Sequence, residues 1–342
     1  MNEIKPAILF INMAKGFGGG EFQTEQLMLA LPEYKIYFFG KKNGKFIQKL
    51  RQYKNITVLN LFQLIKLVLS KKPLIIHAQD GRGAHIAGFL KLISGKSVVI
   101  TRHVAFPFKR KSSTKSYKNA DMLVGVSEQV SYNLRKLNSN VKTIYGCVKP
   151  LLENNEFEQT FFSEKNGKLS IAHIGNLQKV KNFELTIELA KNFPEILFYI
   201  VGSGELEQAL KEQAKDSKNV IFIPFTSYIG SVFKNVDLQI VPSHSEGLGA
   251  VILEGYQYGV PAIANAVGGI PDIIENNKTG YLIKHNTPES YQEVLKELLN
   301  NPEQLVELKA NIKLYMQHND FSAISMARQY SAIYDNLLSH HS

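Results

Sequence analysis

The sequence predicts an α/β chain made of two doubly wound parallel-sheet domains. Three observations lead there. The chain has 342 residues, about twice the usual single-domain length of about 100–200 residues. Short apolar runs alternate with segments of helical period, and the rhythm restarts after residue 165. The formal charge of +10 is split unevenly: residues 1–155 hold 25 Lys and Arg against 8 Asp and Glu, and the remainder holds 15 against 22. A basic half joined to an acidic half marks a boundary near residue 155 and suggests that the first half meets something anionic.

In the first half, short apolar runs predict strands at Ala7–Asn12, Ile36–Phe39, Thr57–Leu59, Leu74–Ala78, Ser97–Arg102, Met122–Val126 and Val141–Tyr145. Helices are expected between them, at Glu21–Leu31, Gly83–Ile93 and Glu128–Leu137. The opening MNEIKPAILFINM fits a buried first strand better than a signal peptide. The segment from Leu61 to Lys72 is apolar with basic punctuation, which suits a helix with lysines at its rim or one resting on an anionic membrane. Lys109, Arg110, Lys111, Lys115 and Lys118 form a basic cluster of the same two meanings, a solvated loop or a membrane contact.

The stretch Leu151–Lys168 has little apolar period and reads as a linker. Beyond it, strands are expected at Leu169–Ile174, Ile196–Val201, Val220–Ile223, Leu238–Val241, Pro261–Ala264 and Tyr281–Ile283. Helices are expected at Asn182–Asn192, Glu205–Lys215, Ala250–Tyr258, Ile270–Glu275 and Pro288–Asn300. Ala323–Leu338 carries Ile324, Met326, Tyr330, Ile333 and Leu337 at helical spacing and predicts one long helix packed on the body of the protein.

Composition excludes several classes. An apolar fraction of 44% with 20% charged residues builds packed cores and not a disordered or collagen-like chain. The single cysteine, Cys147, cannot form an internal disulfide, so a reducing, cytoplasmic setting is expected. No apolar run approaches the roughly 18 residues of a membrane span. No zinc finger, RNA-recognition signature or basic zipper is present, so nucleic acid is not the expected partner.

Four places carry residues suited to chemistry. Gly16-Phe17-Gly18-Gly19-Gly20-Glu21 lies between a strand and a helix, where glycine lets a ligand approach the backbone and the helix start attracts phosphate. His77 and His103 end two strands, where open parallel sheets bind ligands, and an imidazole there can bond a sugar hydroxyl. Lys181, in Gly175-Asn176-Leu177-Gln178-Lys179-Val180-Lys181, stands beside a helix start and can neutralise a pyrophosphate. The most informative segment runs from Pro242 through Ser245-Glu246-Gly247-Leu248-Gly249-Ala250 to Glu254. Its turn can aim the amides of Leu248, Gly249 and Ala250 at a diphosphate. Glu254 can accept from the vicinal hydroxyls of a ribose, and Glu246 from hydroxyls of a sugar.

These motifs occur in a fixed order with Val126-Ser127-Glu128, Val201-Gly202-Ser203-Gly204-Glu205, Gly259-x-Pro261, Gly268-Gly269-Ile270-Pro271-Asp272 and Thr279-Gly280-Tyr281-Leu282. Together, over nearly the whole chain, they resemble the retaining glycosyltransferases of family 4 (glycosyl transferases group 1). The resemblance implies the GT-B fold, two Rossmann-like domains facing a central cleft. An acceptor domain would span 1–160, a donor domain 165–320, and a last helix at about 321–342 would cross back to the first. It implies a nucleotide-sugar donor, UDP-sugar favoured, held by Gly19, Gly20, Asn176, Lys181, Gly202, Ile223, Phe225, Glu246, Leu248, Gly249, Ala250 and Glu254. His103, Glu246 and Lys181 would be catalytic. His77, Arg102, His103 and Ser127 would meet the acceptor, a saccharide or lipid-linked glycan of lipopolysaccharide or another cell-envelope polymer, at the inner membrane face.

The sequence also departs from the family. Asn176 stands where arginine is common, Gly146-Cys147 replaces Asn-Gly, Asp272 replaces glutamate and Gly255 replaces alanine. No Asp-x-Asp and no His-Glu-x-x-His occurs, so neither a metal nor another cofactor is expected. A nucleotide-sugar epimerase on the same fold, or a silent sugar-binding or membrane-adaptor scaffold, are the alternatives.

Overall fold

The computed structural model describes residues 6–106, 108, 114–163, 165 and 167–339. The chain forms two compact units, Met1–Cys147 with Phe321–Ser342, and Val148–Asp320.

In the first unit, seven strands form one parallel sheet: β1 (Ala7–Asn12), β2 (Lys35–Gly40), β3 (Ile56–Val58), β4 (Leu74–Ala78), β5 (Ser97–Arg102), β6 (Met122–Gly125) and β7 (Val141–Thr143). Their order is β3-β2-β1-β4-β5-β6-β7. The order reverses direction at β1 and β4, so the loops after these strands separate and leave room for side chains at the sheet's carboxyl edge. Central strands are mostly apolar because both faces are covered, as in Ala7–Asn12, where all six residues are buried. The helix Gly81–Ser94 starts where the Asp80 carboxylate accepts from Gly83 N–H at 2.8 Å, and it stops at Gly95 in the left-handed region. The helix Leu61–Val68 starts in a capping box: Asn60 accepts from Gln63 N–H, and the Gln63 side chain accepts from Asn60 N–H. It buries Leu64 and Val68 but leaves Phe62 78% exposed. The helix Ala323–Ser339 belongs to this unit, where Met326, Tyr330, Ile333 and Tyr334 join Ile8, Phe10 and Val99 in one core. Lys109, Arg110 and Lys111 lie outside the described residues; Lys115 and Lys118 sit on the short helix Lys115–Lys118.

The second unit holds six parallel strands: β8 (Ser170–Ile174), β9 (Leu197–Val201), β10 (Val220–Ile223), β11 (Leu238–Val241), β12 (Ala262–Asn265) and β13 (Gly280–Ile283). Their order is β10-β9-β8-β11-β12-β13, with the reversal at β8 and β11. The segment read as a linker is in part a helix, Asn155–Phe162. Asn154 accepts from Phe157 N–H at 2.8 Å, Glu156 and Glu158 favour the first turn, and the Phe162 ring lies tilted against Tyr199 with centroids 4.7 Å apart. Three phenylalanines there supply the anchor that the polar composition hides. The helices Lys45–Leu50, Ile229–Lys234 and Glu303–His318 also lie outside the sequence expectations.

Candidate active site

In the first unit, the candidate side chains gather at the carboxyl ends of β1, β4 and β5. His103 follows β5. Its Nε2 lies 2.8 Å from Oε1 of Gln79, which follows β4. A Cβ on Gly20 would come 3.4 Å from His103 Cγ, so the start of the helix Gly19–Leu29 rests against the imidazole. That start is organised by Glu21, whose carboxylate accepts from Gly18 N–H at 3.0 Å and from Asn12 Nδ2 at 3.1 Å. Burial pushes the His103 imidazole down to about 4. It is therefore a neutral hydrogen-bonding group near pH 7, not a cation.

Two expected acceptor contacts are corrected. His77 is fully buried. Its ring nitrogens are taken by the Tyr334 hydroxyl at 2.7 Å and Thr101 Oγ1 at 2.8 Å. It lies closed off beneath the helix Ala323–Ser339, which covers that part of the sheet. Ser127 is also fully buried and caps the helix Glu128–Arg135, accepting from Val130 N–H. Arg102 is held locally: its guanidinium lies 4.1 Å from the Phe108 ring centroid and donates to the Phe106 carbonyl.

In the second unit, two loops bring opposite charges together. His244 N–H donates to the Val180 carbonyl at 2.8 Å, which ties the loop after β11 to the turn before the helix Phe183–Asn192. Lys181 Nζ then donates to Glu246 Oε1 at 2.6 Å, and Ser243 Oγ donates to the same oxygen at 2.7 Å. The Glu246 loop runs through Leu248 to Gly249 at φ +87°, a left-handed conformation suited to glycine, and opens the helix Ala250–Tyr256. Glu254, one turn into that helix, has no hydrogen-bond partner among the described residues. Burial raises its carboxyl to about 7, against the opposing pull of Lys149. A half-buried carboxylate of this kind is a vacant acceptor for paired hydroxyl donors.

The remaining expected donor residues divide. Phe225 is 76% exposed, but the Ile223 side chain is packed in the core, so only Phe225 offers a surface to a base. Asn176 is exposed and carries no charge. Gly202 is required by packing: a Cβ there would meet the Gly175 carbonyl at 2.0 Å. Sequence reasoning missed Gln79, although its place directly after the Ile75-Ile76-His77-Ala78 strand is the same signal that singled out His103. It also missed Ser243, whose hydroxyl only the fold aims at Glu246.

The glycine after Glu254 has a partner. A Cβ on Gly255 would meet Gln239 Nε2 at 2.1 Å, so the Gln239 amide occupies the space of the usual methyl. Gln239 Nε2 donates to the carbonyls of Ile252 and Val260, while Oε1 is the one buried side-chain polar atom without a partner among the described residues. Gly255→Ala should lose about 1–3 kcal/mol by overpacking, and Gln239→Ala added to it should recover part of the loss. Urea unfolding of both variants checks this; an unchanged midpoint for Gly255→Ala would refute the packing account.

Residues 154–315 match the family model "Glycosyl transferases group 1". An uncharacterized glycosyltransferase of Haemophilus influenzae is 33% identical over 165 residues, 45% of this chain and 43% of that protein's length. The capsular polysaccharide biosynthesis glycosyltransferase CapM of Staphylococcus aureus is 23% identical over 82% of this chain and 81% of its own. The crystal structure of Anabaena Alr3699/HepE in complex with UDP superposes with a TM-score of 0.84 at 17% identity, covering 96% of this chain and 100% of that one. At that identity the likeness establishes the fold, the pair of Rossmann-like units expected of GT-B, over nearly the whole chain.

Proposed function

Because residues 154–315 belong to the glycosyl transferases group 1 family, we propose that this chain transfers a sugar, with retained configuration, from a nucleoside diphosphate donor to a saccharide or lipid-linked acceptor of the cell envelope. The observation that carries the reading is the second unit's arrangement of Lys181, Glu246 and the unpartnered Glu254. Glu254 accepts from the two ribose hydroxyls. Glu246 accepts from hydroxyls of the transferred sugar. Lys181, released from Glu246, meets the diphosphate. Breaking the sugar–phosphate bond leaves negative charge on the diphosphate, and the Lys181 cation, once turned to it by donor binding, stabilises that charge. The departing phosphate oxygen takes the acceptor proton. In the first unit, neutral His103 bonds a sugar hydroxyl.

The relatives' names support a cell-envelope product, and the UDP-bound neighbour supports a uridine nucleotide. The test is a panel of UDP-, GDP- and ADP-sugars scored by thermal stabilisation and by donor turnover. A bound donor at 100 times its Kd should add about 2.7 kcal/mol. The reading fails if no donor stabilises the protein or is turned over with any acceptor.

A lipid-linked acceptor requires access to a membrane. The helices Leu61–Val68 and Gly81–Ser94 lie on one face of the first sheet, since the β3-to-β4 and β4-to-β5 crossovers step in the same direction. They expose Phe62, Leu69, Phe89 and Leu92 beside Lys66, Lys71 and Lys72. This face suits an anionic bilayer. Flotation with phosphatidylglycerol vesicles at low salt should capture the protein, and Phe62→Ser with Leu92→Ser should release it. No binding by the unmodified protein argues against docking.

A further inference from the structure

Beneath His103 runs a chain of buried polar side chains that ends on the helix Ala323–Ser339. Gln79 turns Oε1 to His103 and Nε2 to the ring of His77, 3.0 and 3.2 Å from its two nitrogens. His77 meets the Tyr334 hydroxyl and Thr101 Oγ1, and Thr101 meets the Tyr330 hydroxyl at 3.0 Å. Gln79, His77, Thr101, Tyr330 and Tyr334 are all buried. Polar groups in such a place are tolerated only when mutually satisfied, and a satisfied network has few alternative arrangements.

That network has a chemical consequence for His103. An amide oxygen only accepts, so His103 Nε2 must carry the hydrogen. A neutral imidazole has one N–H, which leaves the Nδ1 lone pair free to accept. The ring is also confined. Gly20 lies against it on one side. The cavity bordered by His103, Gln79, Val126, Met326 and Tyr330 measures about 10 Å³, about the size of one water and too small to receive a ring.

We propose that Gln79 is a positioning residue that holds His103 in the Nε2–H tautomer, so that Nδ1 is the acceptor offered to a ligand hydroxyl, and that Tyr334 acts through His77 to hold Gln79. The identity of that hydroxyl, on a sugar, rests on the proposed glycosyl transfer; the tautomer is a property of the free protein.

The experiment is long-range proton–nitrogen NMR on the full chain labelled with ¹⁵N-histidine, with His103→Gln used to assign the signal. The unmodified protein should show His103 protonated on Nε2 alone. Gln79→Leu should abolish the single tautomer, and should lower kcat about tenfold, roughly 1.4 kcal/mol of barrier, with donor KM unchanged. Gln79→Glu should raise the His103 pKa by about one to three units; His77 and Tyr330, which border it, are held neutral near pH 7 by burial and add no charge. Tyr334→Phe should weaken the tautomer preference without touching His103. A role confined to packing would move neither tautomer nor titration. An Nδ1–H signal in the unmodified protein, or a His103 indifferent to both Gln79 variants, would overturn the proposal. A persistent Nε2–H tautomer in a protein that turns over no donor would uphold the proposal and sink glycosyl transfer.

Discussion

Glu254→Gln is expected to weaken donor binding and to stabilise the empty protein at once. The carboxylate accepts two hydroxyl hydrogen bonds in the proposed complex. An amide oxygen accepts them less well, and alanine not at all. Glu254→Ala should therefore lose about 2–4 kcal/mol of donor or transition-state binding, measured by calorimetry with UDP-sugar and by kcat/KM. The stability effect follows from the raised carboxyl, about 7 against an ordinary 4.5. Between those values the folded state holds a proton that the unfolded state has lost, so stability falls as pH rises from about 4.5 and levels off above 7. The ionised side chain then costs about 3 kcal/mol at pH 8. Glu254→Gln should recover most of that at pH 8 and almost none at pH 4. Donor affinity of the unmodified protein should also drop about tenfold per pH unit below 7, since the acceptor form must be ionised. A folded Glu254→Ala protein with undiminished donor affinity and turnover would remove this residue from the site.

Lys181→Ala should produce the larger kinetic loss. The family's usual arginine is absent, and Asn176 in its place is neutral. Lys179 forms no ion pair among the described residues, and Arg102 is engaged with Phe106 and Phe108. Lys181 is then the principal cation for the leaving diphosphate in the second unit. Removing it should lower kcat by about 10²–10³, with a smaller effect on donor KM. Lys181→Gln keeps a donor but not the charge and should behave nearly as badly. Stability should fall too, because Glu246 is 11% exposed and would lose its counter-charge. Retention of kcat within a factor of a few in either variant would refute this assignment.

The strands were legible because parallel sheets covered on both faces need mostly apolar runs, as in Ala7–Ile11 and Leu197–Val201. The charged candidates stood out in the sequence because both lie on loops that follow strands. Lys181 and Glu246 met as neighbours although 65 residues separate them. What stayed hidden depends on remote packing. His77 sits at a strand end as a binding histidine would, yet Tyr334, 257 residues later, covers it. Ser127 resembles a ligand contact in a family motif, but its hydroxyl is spent on a helix cap. Ile223 is the last residue of its strand and packs inward, whereas Phe225 lies past Pro224, beyond the strand, and is exposed. The helix Asn155–Phe162 was masked by polar residues that face solvent around its phenylalanines.

The first unit is discontinuous: Cys147 and Phe321 bracket the whole of the second. During synthesis, residues 148–320 leave the ribosome as an uninterrupted stretch, while Tyr34, Phe10 and His77 wait for a helix translated after it. Protease resistance in nascent chains should thus arise in the later-made unit before the earlier-made one, reversing the usual vectorial order.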